Sequence, residues 1–152
     1  MPVDFHHDAV YDKPSDISAR RQNADTMVDI SQQIAYWRTG AGEDWEAARQ
    51  LVDSGKTRHG LFFAHLALEK LLKAHICKHT EKLAPKSHNL VRLAEMTELK
   101  LAAEHVDTLA EMNEFNLEGR YPITYVAPPT QKEASDYMKK ARVVLEWLTR
   151  QL

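Results

Sequence analysis

The sequence contains few residues of the kinds that build covalent or reactive centres. It has one cysteine, Cys77, and five glycines among 152 residues. A single cysteine excludes an intramolecular disulfide and a cysteine-based zinc cluster. So few glycines argue against a glycine-rich phosphate loop, and no Gly-x-Ser-x-Gly motif is present. Cys77 lies in an apolar helical pattern, which favours a small core residue over a reactive thiol.

Long hydrophobic runs and an excess of one charge are also missing. No apolar run reaches the ~18 residues that a membrane helix needs. The start of the chain is acidic and rich in histidine, unlike a signal peptide, so we expect a cytoplasmic protein. The formal net charge is −2, which predicts no general attraction to nucleic acid or anionic lipid, although a local basic patch remains compatible with it.

Apolar residues recur at helical spacing along most of the chain, which predicts an all-α fold. Residues 1–22 lack this period and are predicted to be a flexible N-terminal arm, whereas residues 23–152 are predicted to form a helical bundle. Gly40 and Gly42 are expected to interrupt the first helix, which then continues to a stop signal at Ser54–Gly55.

The longest apolar pattern, roughly Arg58–His79, predicts a helix that is apolar around nearly its whole circumference. Such a helix belongs at the centre of a bundle, or in a bundle whose other side forms a dimer. A short helix is expected after Ser87, which would be its N-cap, and another is expected from about Glu98. An amphipathic stripe from Ala134 to Leu152 predicts the last helix.

Three charged side chains of the long helix, Glu69, Lys70 and Lys73, fall within about 100° of one another. One interpretation is an exposed strip in which Glu69 and Lys73 form an i,i+4 ion pair. The other is a phosphate site, in which two ammonium groups on a rigid helix bind the anion and Glu69 orients them. The spacing is compatible with both.

A second candidate is the tripeptide Arg120-Tyr121-Pro122, in a long loop before the last helix. Arginine suits bidentate phosphate binding and tyrosine can stack on a base, while Pro122 restricts the backbone of Tyr121. The alternative is that Arg120 caps the preceding helix and Tyr121 packs on the core. His88 is a further possible site residue, either as a base or as a capping and packing residue.

Eight histidines raise the question of a metal site. His65 lies about 15 Å along the helix axis from His75, too far to share an ion. His75 and His79 have chelating i,i+4 spacing, but no third ligand is implied and the glutamate of a His-Glu-x-x-His motif is absent. We therefore predict no metal and no cofactor.

Four segments, in order along the chain, resemble elements of the HEPN family of nucleotide-associated helical bundles. Phe62–Ala74 is similar to the family signature, an aromatic-rich helix that contains Ala-x-Glu-Lys-x-x-Lys-Ala. The other three are Asp44–Gly55, similar to the preceding helix and its glycine turn, His88–Leu93, which matches His-x-Leu-x-x-Leu, and Gly119–Pro122, which contains Arg-Tyr-Pro.

The resemblance implies an up-and-down bundle of four or five helices that forms a homodimer. It also implies nucleotide or RNA binding, and in many members a separate small nucleotidyltransferase as partner, sometimes as a toxin–antitoxin pair. Lys70, Lys73 and Arg120 would neutralise phosphate, with Glu69 beside them, and Tyr121 would stack or shape the pocket.

Active members of the family cleave RNA through an Arg-x4–6-His motif. We expect no arginine of the chain to be followed by a histidine at that spacing, and Arg120 in particular is followed by Tyr121 to Ala127 without a histidine. The sequence therefore favours binding over RNA cleavage and names no catalytic residue. An RNase toxin, with His88 as a base supplied from elsewhere, and a purely structural dimerisation module are the alternatives.

Overall fold

The structure, a computed structural model, describes the backbone of residues 14–116 and 127–152 and the side chains from Asp29 onward. These ranges contain five α-helices, a short 3-10 turn and no strand, which confirms the all-α prediction. The helices are α1 (Pro14–Asp53), α2 (Thr57–Thr80), α3 (Leu90–Met96), α4 (Ala103–Met112) and α5 (Gln131–Gln151), with the 3-10 turn at Asn113–Phe115. None of the described helices has the length and apolar character that a bilayer crossing requires.

The α2 helix is the centre of the bundle, as its apolar circumference predicts. It packs against α1, α3 and α5, and its residues from Leu71 to Cys77 are all buried. Gly60 allows a close approach of α1, because a Cβ at this position would overlap Val52 and lie 3.0 Å from the carbonyl oxygen of Ala48. Cys77 is fully buried, in agreement with its predicted place in the core.

The predicted break in the first helix is wrong, because α1 runs through Gly40 and Gly42 without interruption. Glycine inside a helix costs only about 1 kcal/mol relative to alanine, which the packing of α1 along α2 offsets. Gly40 also has a packing reason: a Cβ there would lie 3.2 Å from the Nζ atom of Lys70. α1 begins at Pro14, so its backbone includes part of the segment predicted as an arm, whose boundary stays a prediction.

Side-chain caps mark the starts of α3 and α5. Asn89, not the predicted Ser87, is the N-cap of α3, because its side chain accepts a hydrogen bond from the backbone of Arg92. Thr130 caps α5 by accepting from the backbone N–H of Glu133. The helix predicted from Glu98 starts later, at Ala103.

Candidate functional site

The three charged residues on α2 do not form the exposed strip that their spacing allowed. Glu69 and Lys73 are buried, with relative exposures of 4% and 6%, and Lys70 is only partly exposed. The physical reason is that Glu69 and Lys73 face other elements rather than solvent, since Glu69 contacts His88 before α3 and Lys73 contacts Trp37 of α1. Burial of charges is costly unless they are paired and hydrogen-bonded, and each of these three is paired.

Glu69 is the centre of a polar cluster, which we define as Glu69, Lys73, His65 and His88. Its Oε1 atom accepts from Lys73 Nζ at 2.8 Å, which confirms the i,i+4 pair. His88 Nδ1 lies 3.0 Å from Oε1 and 3.2 Å from Oε2. His65 Nδ1 is 3.7 Å from Oε2. Both carboxylate oxygens therefore have partners, as a buried carboxylate requires.

His88 is held both at its ring and at its backbone. Because a carboxylate can only accept, the Nδ1–H of His88 donates to Glu69. His65 Nε2–H donates to the backbone carbonyl of His88 at 3.0 Å. The His88 side chain is nevertheless 45% exposed, so a buried cluster fixes one imidazole at the protein surface. A histidine in this arrangement can bind an anion or exchange a proton with a bound molecule.

The two lysines bind different carboxylates. Lys70 Nζ lies 2.7 Å from Asp44 Oδ2 on α1, with the lysine side chain 26% exposed. Lys73 Nζ binds Glu69 and lies 5.3 Å from the centre of the Trp37 ring, a cation–π contact. The structure therefore brings Glu69, Lys73 and His88 together and places Lys70 in a separate ion pair. Both ammonium groups are already neutralised within the protein.

Arg120 and Tyr121 belong to residues 117–126, which lie outside the described residues, as does the short apolar stretch at Ile123–Val126. The chain that precedes them is held by hydrogen bonds from one side chain. Asn113 accepts from Leu90 N at 2.8 Å and donates to Asn89 Oδ1 at 3.2 Å. These bonds hold the end of α4 beside the two residues that follow His88.

The remaining histidines of α2 have separate partners. His75 is buried and its Nε2–H donates to the Leu148 carbonyl at 2.8 Å. Burial lowers the pKa of His75, against the hydrogen bond to Leu148, which raises it, and Lys78 lowers it further. His79 Nε2 lies 3.1 Å from Glu98. Across the described residues, no three histidine, cysteine or acidic side chains are grouped to hold a metal ion.

Burial also decides the state of Cys77. It raises the pKa of the thiol, against smaller opposing effects of nearby polar groups, so the protonated form is favoured. A buried, protonated thiol is a poor nucleophile. Cys77 therefore takes no part in the site.

An arginine–histidine pair with six intervening residues does occur on α2, at Arg58 and His65. The expected absence of the Arg-x4–6-His spacing is therefore wrong for this helix. His65 has no exposed surface and is bonded to the His88 backbone, so its ring cannot contact a substrate in this structure. Its position four residues before Glu69 was the sequence signal for its role in the cluster.

Comparisons with known proteins agree with this architecture. The model of the HEPN domain family matches residues 34–152, most of the chain. The chain belongs to the HEPN domain family. Among curated proteins, no sequence matches it.

Two solved structures share this HEPN fold. One is TT1696 from Thermus thermophilus, with a TM-score of 0.68, 19% identity, and coverage of 79% of this chain and 98% of that one. The other is ST0689, an archaeal HEPN homologue, with a TM-score of 0.62, 21% identity, and coverage of 78% and 96%. At these identities the likeness shows the fold alone.

Proposed function

We propose that this HEPN protein binds the phosphate group of a nucleotide or an RNA at the exposed side of His88. The observation that carries the proposal is the His88 ring, 45% exposed and bonded through Nδ1 to a buried carboxylate. Glu69 fixes the orientation of the ring, and an imidazolium attracts an anion. Since Lys73 neutralises Glu69, the carboxylate repels the incoming phosphate less.

Arg120 and Tyr121 belong to the same proposal because the chain that carries them starts beside His88. The bonds from Asn113 place the chain next to Asn89, and Arg120 follows Asn116 by four residues. Four extended residues span at most about 14 Å, a length that would let the Arg120 guanidinium approach a phosphate at His88. Tyr121 would then stack on a base.

The lysines have a different role in this proposal from direct phosphate contact. Lys73 is buried against Glu69 and Trp37, and Lys70 is bound to Asp44. We assign both to positioning: Lys73 holds the buried Glu69 side chain through their ion pair, and Lys70 joins α2 to α1.

Isothermal titration with AMP, ATP and a short poly(U) RNA tests phosphate binding. His88→Ala and Arg120→Ala should each weaken binding by about tenfold, as expected for loss of one charged contact. His59→Ala and Arg150→Ala are matched controls, since both side chains are exposed and lie outside the polar cluster. Neither should change the affinity for the three ligands. If none of the three ligands binds, or the control variants weaken binding as much as the site variants, the proposal is wrong.

The assembly implied by the family resemblance is also part of the proposal. We infer a homodimer with a small nucleotidyltransferase as partner, encoded beside this chain as in toxin–antitoxin pairs. Light scattering after gel filtration measures whether the chain is a dimer, and co-purification with the neighbouring gene product tests for the partner. If His88→Ala and Arg120→Ala still form the dimer and bind the ligands and the partner as before, the result would instead support a structural dimerisation module.

RNA cleavage is a second candidate, favoured by the same Glu69–His88 geometry. A carboxylate on Nδ1 holds an imidazole in the tautomer whose Nε2 can take up a proton from a substrate hydroxyl. Incubation of the purified protein with tRNA and mRNA, with His88→Ala as the comparison, decides this. Intact RNA and normal growth of expressing cells would exclude it.

A further inference from the structure

A cleft between α1 and α5 lies apart from the Glu69 cluster and shares no residue with it. Its volume is about 200 Å³. The apolar part of its lining comes from Trp45 and Val52 of α1 and Met138 of α5, of which Val52 is buried and the other two are half-buried. The cleft therefore has an apolar floor that is open to solvent.

Positive charge surrounds this floor on both walls. Arg49 lines the cleft from α1, while Lys139 and Arg142 line it from α5, against one acidic residue, Asp53. Gln131 Nε2 donates to the Val52 carbonyl at 2.8 Å, so the start of α5 lies against the end of α1 and the two helices run antiparallel here. The helical rise then places the three cations toward one end of the cleft and Asp53 toward the other.

The three cations are available to a partner. Arg49 pairs with Glu46 at 3.2 Å and Arg142 with Glu146 at 2.8 Å, both within one helix and between mostly exposed side chains. Exposed pairs of this kind are weak and are readily exchanged for an external anion. Lys139 makes no ion pair with any other described residue.

We propose that this cleft binds an acidic peptide segment of a partner protein, with one large apolar side chain inserted between α1 and α5. The volume is smaller than the roughly 300–1,000 Å³ of small-molecule sites, but it suits a single leucine- to tryptophan-sized anchor. Flanking carboxylates would meet Arg49, Lys139 and Arg142, which gives the charge complementarity typical of a docking surface. The proposal does not depend on phosphate binding at His88.

Fluorescence anisotropy with labelled heptapeptides tests this. The probe peptide has a central phenylalanine flanked by three acidic residues on each side, and companion peptides carry leucine or tryptophan at the centre. Two control peptides separate the contributions: one has serine at the centre, and the other has asparagine and glutamine in place of the acidic residues. We expect saturable binding of the three anchored acidic peptides, weakened about tenfold or more in both controls.

Two variants locate the binding. Arg142→Glu should weaken binding at least about tenfold, while Arg150→Glu, the same charge change on the same helix outside the cleft, should not. Ser135→Leu fills the cleft without a change of charge and should abolish the preference for an apolar centre. Circular dichroism confirms that each variant folds.

Three results would overturn the proposal. The first is no saturable binding of any anchored acidic peptide, and the second is equal weakening by Arg142→Glu and Arg150→Glu. The third is binding of poly(U) RNA that Arg142→Glu removes in the absence of peptide binding, which would assign the cleft to nucleic acid.

Discussion

Two parts of the surface of α2 are buried in opposite ways. Leu72, which has no exposed surface, belongs to the apolar core together with Leu68 of α2 and Leu148 of α5. One turn earlier, Glu69 is just as deeply covered, but its neighbours are an ammonium group and two imidazoles. The apolar region is stabilised by close packing of side chains. The charged region is stabilised by ionic and hydrogen-bonding partners that must all be present.

A single substitution is expected to be most destabilising in the charged region. An apolar core loses stability in proportion to the atoms removed and the cavity that remains. In a buried charge cluster, a single substitution is costly, because removal of one charge leaves the other in a medium that cannot solvate it. The same contacts hold His88 in place, so a substitution in the charged region should both lower stability and disturb the position of His88.

Glu69→Ala should have the largest effect. It leaves the Lys73 ammonium buried without its carboxylate, and we expect a loss of about 3–5 kcal/mol in the free energy of unfolding. Leu72→Ala, the reference from the apolar region, should cost about 2–5 kcal/mol. Urea denaturation measures both. A loss below about 1 kcal/mol for Glu69→Ala would show that the cluster is not an interdependent unit.

Replacing the charged pair by apolar residues should restore most of that loss. In the double variant Glu69→Leu/Lys73→Met no buried charge remains uncompensated, and stability should return to within about 1 kcal/mol of the unmodified protein. Binding of AMP should nevertheless weaken by about tenfold, as in His88→Ala, because His88 has lost its acceptor. Recovery of stability together with unchanged binding would separate His88 from Glu69 and contradict the proposed site.

His75 should make a smaller, pH-dependent contribution. Its pKa in the folded protein is lowered by burial below the ordinary value of 6.5, so the unfolded chain binds the proton more readily. The contribution of His75 to stability is therefore complete above about pH 6.5 and is lost as pH falls through the folded pKa. Denaturation between pH 7.5 and 5 should show a steeper fall for the unmodified protein than for His75→Gln. His79→Gln, at an exposed histidine, is the control and should retain the steep fall.

Arg49→Ala should have the smallest effect. Its pair with Glu46 is mostly exposed to solvent, and such pairs contribute roughly 0–1 kcal/mol. Thermal unfolding at low and high salt should show almost no difference between this variant and the unmodified protein. A loss comparable with that of Glu69→Ala would mean that burial does not explain the contrast between the two ion pairs.

The sequence predicted much of the fold because helical periodicity is a local property. The apolar circumference of Arg58–His79 was enough to place α2 at the centre, and the i,i+4 spacing was enough for the Glu69–Lys73 pair. The same spacing could not show that the pair is buried. A helical wheel gives the angle between side chains but not the element that covers them, and here α1 and the segment before α3 do so.

Local signals also misplaced several boundaries. Gly40 and Gly42 have the composition of a helix break, yet the contact between α1 and α2 offsets their low helix propensity. Ser87 and Asn89 are both good caps, and Asn89 takes the position because its side chain also accepts a hydrogen bond from Asn113 of the turn after α4.

The sequence by itself determined an all-α chain, a central helix, a buried single cysteine and the motifs of the HEPN family, all of which depend on residue type and short spacing. Only the tertiary structure decided that His88 meets His65 and Glu69, and that Arg49 and Arg142 line one cleft from opposite walls. The physical reason is that both sites join residues from different elements. Which residues meet at each site depends on how the helices pack around α2, and the spacing along a single helix does not encode that packing.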